Sequence, residues 1–131
     1  MAAQPTKPNI FPALRYRNGS GAIEWLGKAF GFEKHFVVPG DGGAIAHAQL
    51  CLGAGMIMLG SGKHEPGNPW DEVQQGVYVH VTDVDAHYAR AKAAGAEIVR
   101  ELQDTDYGSR EYSARDPEGH LWSFGTYDPW K

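Results

Sequence analysis

Arg115-Asp116-Pro117-Glu118-Gly119-His120-Leu121-Trp122-Ser123-Phe124 is the stretch on which the fold turns. Asp, Pro and Gly in the order Asp116-Pro117-x-Gly119 suit a tight turn, with Pro fixing its backbone at the second position. Beyond it, Trp122 and Phe124 alternate with Leu121 and Ser123, the period-two pattern of a strand with one face buried. Upstream, Gly76 to Val81 alternates in the same manner, with Val77, Val79 and Val81 on one side and Tyr78 and His80 on the other.

Working outward, the same order of elements is legible twice. In the first half a strand is expected over Ile10 to Tyr16. Asn18-Gly19-Ser20 supplies a helix start, and Ile23, Leu26 and Phe30 recur at helical spacing up to the stop at Gly31. Strands follow over 32–38, 44–52 and 56–60, joined by the loop Pro39-Gly40-Asp41-Gly42-Gly43 and the turn Gly53-Ala54-Gly55. In the second half, Gly76 to Val81 is a strand. Asp83 caps a helix whose Val84, Tyr88 and Ala91 share a face, and Gly95 stops it. Ile98 and Val99, Ser109 to Arg115, and Leu121 to Thr126 complete the set. A shift of 65 residues carries Leu14 onto Val79, Tyr16 onto Val81, Ile57 onto Trp122 and Leu59 onto Phe124, whereas the helix stops differ by 64. Two copies at so long a period indicate a duplicated module, not a solenoid.

The expected fold is therefore α+β, with two βαβββ modules forming curved mixed sheets around a shared pocket. The expected layout is one domain over residues 1–131. It has an arm at 1–8, module one at 9–60, a polar linker at 61–75 and module two at 76–127. The helices are placed at Ser20 to Phe30 and Asp83 to Ala94.

Bulk properties exclude several classes. The 131 residues carry a net charge of −4, which disfavours nucleic acid, since phosphate binding needs a basic surface. There is no apolar run of membrane-spanning length, no basic patch for a membrane surface and no signal-like N-terminus, so no membrane is expected as a partner. The lone Cys51 reads as a small buried hydrophobe and fits a reducing cytoplasm. No serine stands in a Gly-x-Ser-x-Gly elbow, no glycine run cradles phosphate, and Cys51 has no neighbouring charge to lower its pKa.

Asp106-Tyr107-Gly108-Ser109-Arg110, the Arg115–Phe124 stretch and Val77-Tyr78-Val79-His80-Val81-Thr82-Asp83-Val84-Asp85 together resemble the vicinal oxygen chelate superfamily. The likeness is to its glyoxalase/bleomycin-resistance-like branch and runs from about Ile10 to Tyr127. In that family's metalloenzymes the ligands, His or Gln and then Glu, come from the first and last strands of each module. The resemblance carries those positions to Phe11, Met58, Gly76 and Ser123. None of the first three can ligate a hard divalent ion and a neutral Ser is a poor ligand, so no metal site and no cofactor are expected. That centre is expected to be apolar, without converging carboxylates.

The candidate ligand-binding residues are Arg15, His47, Gln49, Met56, Met58, Tyr78, His80, Leu121 and Ser123. His47 and Gln49 alternate with Ala46, Ala48 and Leu50; Tyr78, His80, Leu121 and Ser123 alternate with the helix-side set. Arg15 is the only cation among them and suits either an anionic ligand or a surface carboxylate. On the seventh strand the alternation is poor, and Glu111, Ser113 and Arg115 fall helix-side. His64 and His87 read as solvated, His120 as part of the hairpin, and His35 lies on a strand whose side is open. Trp70 reads either as a pocket flap or as cover for apolar surface.

Three functions remain open. The first is a metal-independent protein that binds or sequesters an apolar or aromatic small molecule. The second is a lyase or dioxygenase-type enzyme with a site relocated to His47 and His80, and the third is an association module. The resemblance also implies a homodimer.

Overall fold

The computed structural model describes residues 8–61 and 66–131. The element order is β1 (Ala13–Arg15), α1 (Gly19–Phe30), β2 (Glu33–Pro39), a 3₁₀ turn at Asp41–Gly43, β3 (Ile45–Leu52), β4 (Gly55–Gly60), α2 (Pro69–Glu72), β5 (Gly76–His80), α3 (Val84–Ala93), β6 (Glu97–Asp104), β7 (Arg110–Arg115) and β8 (Leu121–Gly125). These form an α+β fold with two four-stranded mixed sheets, ordered β1-β4-β3-β2 and β5-β8-β7-β6. The chain divides into two compact units. Gly31–Glu72 belongs to the first with the chain up to Gly27, and Val73–Lys131 belongs to the second with Lys28–Phe30.

The duplication is visible in the hydrogen-bond register. β1 pairs with β4 in parallel as Ala13↔Met58, Leu14↔Leu59 and Arg15↔Gly60. Adding 65 to every residue gives Tyr78↔Ser123, Val79↔Phe124 and His80↔Gly125, which are pairs of β5 with β8. The middle strands obey a different shift. Glu33↔Cys51, Lys34↔Leu50 and Phe36↔Gln49 correspond to Glu97↔Arg115, Ile98↔Ala114 and Arg100↔Ser113, all offset by 64. The residue missing from the second helix is thus restored only at the Asp116–Gly119 turn.

That single residue corrects the expected phase of β7. A one-residue change in register exchanges the two faces of a strand. Tyr112 and Ala114 are fully buried, paired with Phe124 and Trp122, while Glu111, Ser113 and Arg115 lie on the opposite face. In unit one Ala48, Leu50, Ile57 and Leu59 form the buried face, as their alternation requires.

Both long helices are set by their ends. The Asn18 side chain accepts the Gly21 N–H at the start of α1, and Gly31, at φ 90°, closes its far end. Having no Cβ, glycine takes this left-handed turn without the clash another residue would meet. Asp83 caps α3 by accepting the Ala86 N–H. The fold-deciding turn behaves likewise: the Gly119 N–H reaches the Asp116 carbonyl at 3.0 Å, with Gly119 at φ 98°. Asp116 is buried, accepts the Glu118 and His120 N–H groups on Oδ1, and takes the indole N–H of fully buried Trp122 on Oδ2 at 3.1 Å. His120 serves this hairpin, its Nδ1 accepting the Gln75 N–H at 3.0 Å.

Four local expectations need correction. β1 begins only at Ala13, which leaves Phe11 outside the strand, because Pro12 has no N–H to extend the ladder. The segment expected as linker contains α2, one helical turn begun at Pro69. Cys51 is half-buried, on the face of β3 away from Leu50. His87 is packed, not solvated, with both ring nitrogens hydrogen-bonded within the fold. His64 and residues 1–7 lie outside the described residues.

Candidate functional site

In unit two, strand register assembles one open sheet face. Across β5, β8 and β7 it carries Tyr78, Ser123 and Ser113 in one row and His80, Gly125 and Glu111 in the next. An open pocket of about 830 Å³ lies in this unit. Its walls include Val77, Leu121 and three tyrosines, Tyr78, Tyr107 and Tyr127; Gly76, Ser123 and Glu111 complete it. The tyrosine rings do not stack face to face. Tyr78 and Tyr127 meet at 6.4 Å and 61°, and Tyr107 and Tyr127 at 6.2 Å and 88°.

Glu111 is the unexpected member. Only 5% of it is exposed, which is rare for a carboxylate without partners. The Tyr107 hydroxyl donates to Glu111 Oε1 at 2.6 Å, and Arg100 Nη1 reaches the same oxygen at 3.2 Å. The Tyr78 hydroxyl donates to the Tyr127 carbonyl at 2.7 Å. Its pKa is raised, first by burial and next by the Glu111 charge. That of Tyr107 is raised above all by its hydrogen bond to Glu111. Both phenols therefore stay protonated at neutral pH and act as donors.

Gly125 makes room for this arrangement. A Cβ there would stand 2.6 Å from Glu111 Cγ and 2.8 Å from the Tyr78 hydroxyl oxygen. The Ser123 hydroxyl is engaged with that of Ser113 at 2.6 Å.

The residues proposed from sequence thus separate by unit. Tyr78, Leu121 and Ser123 meet in the unit-two pocket; His80 is exposed on the same face, outside the pocket lining. In unit one, Gln49 links two others: His47 Nε2 lies 2.9 Å from its Oε1, and its amide donates to Met56 Sδ at 3.7 Å. Met58 pairs with Gln49 in the ladder. Arg15 lies 3.8 Å from the Asp71 carboxylate, the carboxylate alternative of its sequence reading. Trp70 is exposed and His35 sits exposed in the bulge between Lys34 and Phe36, which is why no side could be assigned to it. Sequence reasoning missed Glu111, Tyr107 and Tyr127. Tyr112 and Ala114, phased against Trp122 and Phe124, were the signal for the first.

His87 belongs to the core beneath this sheet. Its ring lies 4.2 Å from that of Phe124, and Nε2 donates to the Phe30 carbonyl at 2.8 Å. Nδ1 then accepts the Tyr112 hydroxyl at 2.6 Å. Burial lowers its pKa below 6.5, opposed by the Phe30 carbonyl and reinforced by Arg90.

The family's metal positions do not fit a metal here. Phe11 and Met58 in unit one and Gly76 in unit two offer no hard donor, and the single hydroxyl of Ser123 is already bonded. Among the described residues no three His, Cys, Asp or Glu side chains are grouped to hold an ion. Glu111 brings a carboxylate into the unit-two pocket, beside Gly76 and Ser123.

A duplicated βαβββ module with this register defines a class, and comparison with known proteins agrees. Residues 12–124 match the model of the Glyoxalase/Bleomycin resistance protein/Dioxygenase superfamily, and the chain belongs to that family. It is 33% identical over 126 residues to the uncharacterized protein Mb0911c of Mycobacterium bovis, covering 91% of this chain and 83% of the relative. Among solved structures it is similar to TioX from Micromonospora sp. ML1, with 38% identity, a TM-score of 0.78, and coverage of 90% of this chain and 97% of the other. The fosfomycin resistance protein FosX of Listeria monocytogenes shares the fold, with 14% identity, a TM-score of 0.65, and coverage of 99% and 98%.

Proposed function

We propose that this protein is a metal-independent binder of an apolar or aromatic small molecule, acting by sequestration. The observation that supports it most is the unit-two pocket. Apolar and aromatic walls with a few polar groups are the usual make-up of a ligand site. The four family ligand positions lack the donors for a metal, and among the described residues no three His, Cys, Asp or Glu side chains are grouped around His47 or His80. The chain works in the cytoplasm as a homodimer, pairing that would cover the sheet edges left by β2 and β6. Sedimentation at micromolar concentration checks this, and a 14.3 kDa particle would refute it.

The functional test uses prodan, a neutral naphthalene dye whose emission moves to the blue in an apolar site. Saturable one-to-one binding, lost in Leu121→Asp, is the expected result. Leu121 is already partly exposed, so that variant should fold. Absence of saturable binding, or binding indifferent to Leu121→Asp, overturns the proposal.

A further inference from the structure

We propose, resting on the binding reading above, that the ligand is a protonated amine carried on an apolar or aromatic body, its N–H seated on Glu111 Oε2 inside the ring of Tyr78, Tyr107 and Tyr127. Most polar atoms of the pocket are already used. The Tyr107 hydroxyl and Arg100 both address Oε1. The Tyr78 hydroxyl is spent on the Tyr127 carbonyl, and the Ser123 hydroxyl on Ser113. Oε2 takes no hydrogen bond from any described residue, although a carboxylate offers about four acceptor positions. Arg100 makes a one-oxygen contact, not the two-pronged one it is shaped for, so its charge holds Glu111 without closing Oε2.

That open acceptor belongs to a carboxylate lining the pocket, so it suits a hydrogen-bond donor carried by a ligand. The surrounding rings decide which donor. With their hydroxyls engaged, Tyr78 and Tyr107 offer a ligand their π surfaces, and the steep angles with Tyr127 make them walls of a corner. Such walls attract an organic cation more than a neutral group of equal shape. A free N–H cation beside a carboxylate also makes the stronger, charge-assisted hydrogen bond.

Calorimetry at pH 7 with N,N-dimethylbenzylammonium and its neutral isostere isobutylbenzene tests the assignment. We expect the cation to bind at least tenfold more tightly, and that preference to fall to within twofold in Glu111→Gln. Tyr127→Leu keeps the apolar area and the backbone carbonyl that Tyr78 uses. It should weaken the cation several-fold and leave isobutylbenzene unchanged, so it decides the matter should Glu111→Gln fail to fold. Equal binding of the two probes, or a cation affinity indifferent to both substitutions, overturns the amine assignment and leaves the binding reading standing. No binding of either probe up to millimolar concentration overturns both.

Discussion

Gly125→Ala is the most informative perturbation, because two effects of opposite sign compete in it. Relieved of a glycine, a strand interior ordinarily gains about 0.5–1 kcal/mol. Against this, the new methyl would lie 2.6 Å from Glu111 Cγ and 2.8 Å from the Tyr78 hydroxyl oxygen. Carbon contacts are comfortable only near 3.5–4.0 Å, so Glu111 must retreat by about 1 Å. That retreat cannot preserve both the 2.6 Å bond from Tyr107 and the 3.2 Å contact with Arg100. Overpacking of this kind costs about 1–3 kcal/mol. The clash should win, with a net loss of about 1–2 kcal/mol and a fall in Tm of roughly 4–8 °C for a chain of this size. Gly76→Ala is the matched control, since nothing lies within 4 Å of its added methyl. It should be neutral or slightly stabilising. Thermal unfolding followed by circular dichroism reads both. A Gly125→Ala protein as stable as the parent, or more so, would refute the claim that this glycine exists to seat Glu111 and Tyr78.

Asp116→Asn should lower stability by about 2–3 kcal/mol in urea unfolding, because an amide N–H₂ turned toward the buried Trp122 indole N–H replaces an acceptor with a donor. Rotating the amide instead deprives the Glu118 and His120 N–H groups, so no loss at all would contradict the geometry. For His87, the folded state binds a proton less readily than the unfolded chain, whose value is 6.5. Unfolded molecules therefore protonate first, and stability present above pH 6.5 should decline as pH falls below it. Denaturation midpoints that stay level from pH 7.5 to 5, or fall equally in His87→Gln, would count against this. Calorimetry with Zn²⁺ and Ni²⁺ should show no one-to-one micromolar binding to the unmodified protein. Such binding abolished by Ser123→Ala would show that the family positions do hold a metal.

Much of the fold was legible because it rests on local chemistry. Asn18, Gly31 and Asp83 mark helix ends through their own side chains or backbone freedom, and Asp116-Pro117-x-Gly119 marks its hairpin in the same way. The 65-residue overlay carries the β1–β4 register onto that of β5 and β8, since both flanking strands of a module kept their spacing. The candidate site was legible only where alternation was clean: Tyr78, Leu121 and Ser123 on β5 and β8 share the pocket. Glu111 was hidden by one missing residue: a uniform 65-residue shift puts it helix-side, against the alternation of Tyr112 and Ala114 that the structure follows.

The sequence by itself determined the duplicated α+β order, because propensity and period act over a few neighbours. Tertiary structure alone decided which face of β7 meets the core. It also decided that Tyr107 and Tyr127, sequence positions apart, stand beside Tyr78 around Glu111. Those facts depend on how strands separated along the chain fall into register, and register is settled by the packing of Tyr112, Ala114, Trp122 and Phe124 together.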